Sequence, residues 1–200
     1  MNDELPTELC FVLPTWATTE LEHLAPVPDA DDRMGVVLRL AEASVANASG
    51  GPFAAALFTV DGGHLVAAGV NLVLATRAPV AHAEIVAIAL AGTRLGTHDL
   101  GRAGAIELVT SCEPCAMCMG ALPWAGVSRV VCGARDEDAR AVGFDEGDKR
   151  PDWPDLLRAR GIEVVRDVRR DQAAEILRRY AEGGGVIYNG MSVAEPPGSA

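Results

Sequence analysis

Two hundred residues suffice for one domain with a sizeable core and leave room for a terminal extension. Half the chain is hydrophobic (49%) but aromatics make up only 4%, so Ala, Val and Leu must do most of the packing. A net charge of −11 disfavours a partner held mainly by phosphate contacts, and no stretch approaches the ~18 uninterrupted apolar residues of a membrane span.

The chain opens on Met1-Asn2-Asp3-Glu4, which lacks the basic start and apolar run of a signal peptide, so cytoplasm is the expected compartment. Residues 1–30 carry Pro6, Pro14, Pro26 and Pro28 and show little periodicity. They read as an extension, with a patch from Leu9 to Leu13 docking on the domain and Trp16 as a plug. From Asp31, apolar residues recur at three and four (Met34, Val37, Leu38, Ala41, Val45, Ala48), which predicts a helix capped by Asp31 or Asp32. Phe53 to Val60 reads as a buried strand. Asp61-Gly62-Gly63 is a hairpin turn, and Leu65 to Asn71 is the returning strand. His64 falls in that turn and is expected in solvent.

Pro79 approaches a helix from about Ala81 to Leu95, closed by Gly96. Ile106 to Thr110 is a short strand. Pro114 then opens a helix that Pro123 ends or kinks. Arg129 to Gly133 is a further buried strand, and 136–149 is a polar stretch. A helical turn from Asp155 to Arg160, a strand from Ile162 to Val168 and a helix from Asp171 to Tyr180 follow. Gly183-Gly184-Gly185 interrupts, Val186-Ile187-Tyr188 is a last extended piece, and Pro196 to Ala200 reads as disordered. Strands alternating with helices make the class α/β. The expected organisation is an extension (1–30), one domain (31–182) and a tail (183–200) that covers a pocket at 186–188.

Two short stretches carry chemistry: His82-Ala83-Glu84 and Cys112-Glu113-Pro114-Cys115-Ala116-Met117-Cys118. One histidine and a Cys-x-x-Cys pair supply the three protein ligands of a catalytic zinc, leaving one position for water. Both ligand groups fall at helix starts, where the dipole favours thiolate. Cys115 and Cys118 lie at i and i+3 on one helix face. Glu84 sits too near His82 to be a fourth ligand and is placed to carry protons. A structural site would instead use Cys112 as a fourth ligand; the proton-carrying carboxylate argues for the open, catalytic kind, with Cys112 at a strand end lining the pocket. Glu113 reads as a first-turn glutamate favourable to the helix dipole. Five cysteines, an odd number unevenly spaced, argue against a disulfide framework, and Cys10 and Cys132 are expected as buried thiols.

His-x-Glu followed by Pro-Cys-x-x-Cys is the signature of the zinc deaminases. The chain resembles the cytidine-deaminase superfamily in these residues. With Gly51-Pro52-Phe53, Gly69-Val70-Asn71 and Pro79 to Glu84, it is similar to the branch of guanine deaminases and tRNA-adenosine deaminases, over roughly Asp31 to Glu146. The resemblance implies a three-layer α/β/α fold with a five-stranded mixed sheet, one zinc per subunit, and a homodimer. It further implies that Asn71 contacts the base, that Phe53 and Trp124 line the pocket, and that the backbone at Ala83 and Cys115 meets substrate. Gly143-Phe144-Asp145-Glu146 resembles the segment of guanine deaminases whose second acid holds and protonates the base, here Glu146 beside Asp145. Tyr188 matches by position the aromatic residue that closes the pocket in some of them. The pattern departs at Pro123, where a tyrosine is usual, at Ala78 and at Ala54. Val131 to Asp136 and the closing strand and helix look more like the tRNA-editing enzymes.

The leading expectation is a deaminase of a small nucleobase or nucleoside, guanine-like substrates first, with Glu84 and Glu146 catalytic. The alternatives are tRNA adenosine deamination, a cytosine, cytidine or aminotriazine deaminase, and a non-catalytic zinc-stabilised binding module. The acidic balance and the lack of a Lys/Arg-rich tail weigh against tRNA.

Overall fold

The computed structural model describes residues 7–190. A helix α1 (Thr15–Leu21) lies within the extension, and α2 (Ala30–Ala46) starts the domain. The cap of α2 is Asp29, whose carboxylate accepts from the Asp31 and Asp32 amides, so Asp31 and Asp32 occupy the first turn and favour the dipole. Strands β1 (Ala54–Thr59) and β2 (Leu65–Val70) form the hairpin, turned by Gly62 and Gly63 at φ of 78° and 65°. A single turn, α3 (Val73–Thr76), leads to α4 (Ala83–Leu95), then β3 (Ile106–Cys112), α5 (Ala116–Ala125) and β4 (Arg129–Ala134). Helices α6 (Asp136–Ala141) and α7 (Trp153–Arg158), strand β5 (Glu163–Val165) and helix α8 (Arg170–Glu182) complete the order.

The sheet runs β2-β1-β3-β4-β5. β1 pairs antiparallel with both β2 and β3, while β4 joins β3 and β5 in parallel. The mixture follows from the connections: a tight turn forces β2 back along β1, whereas the parallel pairs are reached through α5 and α7. β3 is buried at every position, as a central strand covered on both faces must be. Alternate residues divide between two cores. Ala54, Ala56, Phe58 and Val109 meet α2 and α8, and Ala55, Leu57, Leu108 and Val130 meet α4, α5 and α7. The three-layer fold and five-stranded mixed sheet are those expected.

One buried ion pair ties the extension to the sheet. Arg33, 2% exposed, donates to the fully buried Glu107 of β3 and to the carbonyls of Val27, Pro28 and Val60. Phe11, Leu13 and Trp16 pack against the same core and Ala17 is buried in it, whereas Leu9 is 57% exposed.

Several expectations are corrected. Cys10 is exposed, because the apolar run around it presents only Phe11 and Leu13 to the core; Cys132 is buried as expected. Pro123 does not end α5, which continues to Gly126 in the left-handed conformation. β5 stops at Val165, before Asp167 and Arg169 turn to positive φ. The polar stretch after β4 contains α6, whose first turn is acidic. His64 is exposed, as expected. The acidic start at Met1 to Glu4 and the reading of Pro196 to Ala200 as disordered fall outside the described residues.

Candidate active site

The C-terminal end of β3 and the amino ends of α4 and α5 converge on one point. His82 is the N-cap residue of α4, one position earlier than its predicted place in the first turn. Its position depends on close approach of α4 to β2: a Cβ on Gly69 would lie 2.2 Å from the Ala83 carbonyl oxygen, so only glycine lets the helix start there. Cys115 is the N-cap of α5, and Cys118 sits in the first turn.

The donor atoms of His82, Cys115 and Cys118 lie within 4.8 Å of one another, with Cys115 Sγ 3.5 Å from His82 Nδ1. Cys112 turns its thiol toward the Arg135 carbonyl at 3.6 Å and stands outside the group. One imidazole and two thiols fit zinc with an open fourth position. A hydrogen bond from Cys118 and one from His82 bring the Cys115 pKa down to about 4, and its bond to Cys115, with burial, pushes Cys118 up. Burial lowers the His82 pKa, but the Cys115 hydrogen bond and nearby negative charge more than offset it.

His82 and Cys115 lie in one wall of a cavity of about 460 Å³. Glu84 and Glu146, 7% and 6% exposed, both border it. Burial is the main reason that both carboxyls are raised, Glu146 to about 8; the charge on Cys115 adds to each. Asn71, 1% exposed at the end of β2, accepts from the Val73 amide through Oδ1 at 3.2 Å. Phe144 stands edge-on to Phe53 and to Tyr188, with centroids 4.8 and 5.4 Å apart. Ala83, Asp145 and, as expected at its strand end, Cys112 complete the predicted residues that line the cavity. Trp124 does not: it is 85% exposed on α5 and lies outside this cavity among the described residues.

The segment after α8 closes one side. The Tyr180 hydroxyl donates to the Val186 carbonyl at 2.8 Å. Tyr188 enters between Gly51 and Phe144, where a Cβ on residue 51 would fall 2.0 Å from its hydroxyl. That hydroxyl is buried without a partner among the described residues. The Asn189 amide donates to the Gly143 carbonyl and accepts from the Asp145 amide, both at 2.9 Å, and so pins the loop that carries Glu146.

Sequence reasoning missed Asn189 and the group beneath the ligand turn. Glu113 is 3% exposed and accepts from Arg166 Nε and from the Asp136 amide, so it belongs to a buried network rather than serving the helix dipole alone. Lys149 is buried beside it. The clue for Glu113 was its place between Cys112 and Pro114, where a chain entering a core site has little access to solvent.

Fold and donor set together define an α/β protein with a mononuclear zinc centre of the His/Cys/Cys type. Residues 29–134 match the family model described as the cytidine and deoxycytidylate deaminase zinc-binding region, and the chain belongs to that family. A solved structure in complex with 2,6-diaminopurine is 48% identical, covering 94% of this chain and 98% of that one, with a TM-score of 0.85. A guanine deaminase from Nitrosomonas europaea is 45% identical over 90% of this chain and 99% of its own, with a TM-score of 0.84. The guanine deaminase of Bacillus subtilis is 43% identical over 97 residues, which span 48% of this chain but only 59% of that protein.

Proposed function

We propose that the protein is a hydrolytic deaminase of guanine or a closely guanine-like base, acting on the free base. The observation that carries this reading is the end-to-end likeness to the structure that holds 2,6-diaminopurine, a purine bearing amines at two ring carbons. The reaction replaces the exocyclic amine by oxygen: guanine and water give xanthine and ammonia.

Zinc bound by His82, Cys115 and Cys118 would supply Lewis-acid activation of water. Glu84 would take a proton from the attacking water, pass it to the ring nitrogen beside the amine-bearing carbon, and protonate the departing amine. Asn71 orients the base through its amide, with Phe53 and Phe144 against the ring. Glu146 holds the ring edge that bears the amine, and Asp145 shapes the same loop. The Ala83 and Cys115 backbone amides, at helix amino ends, face the atoms where negative charge develops. Tyr188 and the tail segment keep bulk water out.

The same reading takes 31–182 as the deaminase domain, 1–30 as an extension anchored by Arg33, and 183–200 as a pocket-covering tail. It places the protein in the cytoplasm as a homodimer. Trp124 and Met117, exposed on one side of α5, are the apolar surface that a second copy would cover, and any pocket role for Trp124 would require that copy.

An ammonia-release screen over guanine, guanosine, cytosine, cytidine, adenine, adenosine and aminotriazines tests the reading. Guanine is expected to be turned over fastest. Release from cytidine or adenosine with none from guanine would overturn it.

A further inference from the structure

Of the 17 Lys and Arg residues in the chain, Lys149 alone is a lysine, and its side chain is 2% exposed. Its ammonium donates to the Pro114 carbonyl at 2.8 Å and lies 3.5 Å from Asp136 Oδ1, 3.9 Å from Glu113 Oε2 and 5.1 Å from the centre of the Trp153 ring. A compact ammonium on a thin stem suits this space.

The place it touches matters. Pro114 is buried, and its carbonyl precedes α5, whose first intrahelical bond runs from Met119 N–H to Cys115 O. The Pro114 oxygen therefore has no helical partner, and burying it unsatisfied would be costly. Lys149 supplies the missing donor, and does so with a full charge. On the other side of the same turn, the Ala116 amide donates to the Glu146 carbonyl at 2.9 Å. Gly147, at φ 71°, lets the loop lie that close, since a Cβ there would come within 3.0 Å of Ala116 Cβ. Segment 146–149 thus brackets Cys115 from both neighbours. Between the two bonds remains the Cys115 amide, which has no acceptor among the described residues.

The Pro114 carbonyl and the Cys115 N–H belong to one peptide group. A cation bonded to the oxygen draws electron density through the amide and makes its hydrogen a stronger donor. We infer that Lys149 is a positioning residue that fixes and polarises the Pro114–Cys115 peptide group, strengthening the Cys115 N–H toward the reacting substrate. Glu113 and Asp136 hold the ammonium in place from behind, and Arg166 and Arg140 balance their charge. The inference rests on the deaminase reading for its catalytic consequence, but the state of the peptide group does not depend on which base is turned over.

The test uses zinc-loaded, full-length protein labelled with ¹⁵N at its cysteines. In Lys149→Met the Cys115 amide proton resonance is expected to move upfield while that of the exposed Cys10 stays in place. Turnover should fall roughly 10- to 100-fold through kcat, with KM and zinc content near wild type. Lys149→Arg, which restores a charged donor, should bring the resonance and part of kcat back. Should Lys149→Met not fold, Lys149→Leu makes the same comparison, with no donor to the Pro114 carbonyl. An unmoved Cys115 amide in the neutral variant overturns the inference, as does an unchanged kcat. A shifted amide in a protein inactive on guanine would leave Lys149 in its role and refute the substrate assignment instead.

Discussion

The two sides of the cavity are built differently. The donor side, His82 with Cys115 and Cys118, sits at the amino ends of helices packed on the central strands, and its close approaches are backbone against backbone, as at Gly69 and Ala83. The opposite side is a segment of coil that follows α8 and docks through a few side chains: Tyr188 against Phe144, and Asn189 against the 143–145 loop. The first side cannot move without disturbing the core. The second can be altered while leaving the core intact. The donors are therefore tied to the sheet, and the part of the cavity lining formed by Tyr188, Asn189 and Gly190 is attached to it through side chains.

This contrast can be broken most severely from the donor side. Stripping zinc with a chelator should abolish ammonia release, by more than about 10³-fold, and re-adding one equivalent per chain should restore it; assays with metal analysis decide this. Next in size is the core beneath. Arg33→Met leaves the fully buried Glu107 with only the partly exposed Arg129 at 3.3 Å, and should cost about 3–5 kcal/mol in denaturant unfolding. On the cavity's acidic wall, Glu146→Ala should cut guanine turnover by roughly 10²-fold while sparing zinc content and stability; intact turnover would remove the second carboxylate from the scheme. The smallest effect belongs to the tail. Asn189→Ala removes two exposed hydrogen bonds, and should raise KM by roughly tenfold or less with little change in kcat, since each exposed bond is worth about 0.5 kcal/mol. A larger loss of kcat than of KM would mean that the tail is not merely attached.

Much of the donor side was legible in the sequence, because its spacing is local. Cys115 and Cys118 are three apart on one helix, Glu84 follows His82 by two, and the hairpin through Gly62-Gly63 brings Asn71 to the same end of the sheet. The helix boundaries erred by a residue or two where a cap decided them, as at Asp29 and His82. What stayed hidden is non-local. Glu113 looks like a first-turn acid serving the helix dipole until Arg166, 53 residues away, is folded onto it. Lys149 and Asn189 carry no spacing signal, since their partners are carbonyls and amides that any sequence supplies. Trp124 was expected at the pocket from resemblance, but in a single chain it faces solvent.

The central claim is a zinc centre with three protein donors beside one proton-carrying carboxyl group. Wild-type and Glu84→Gln proteins, assayed together for zinc per chain and for ammonia from guanine, test it most directly. One zinc per chain is expected in both, with a loss of turnover of roughly 10²- to 10⁴-fold in the variant. Wild-type protein without zinc, or a variant as fast as wild type, would contradict it.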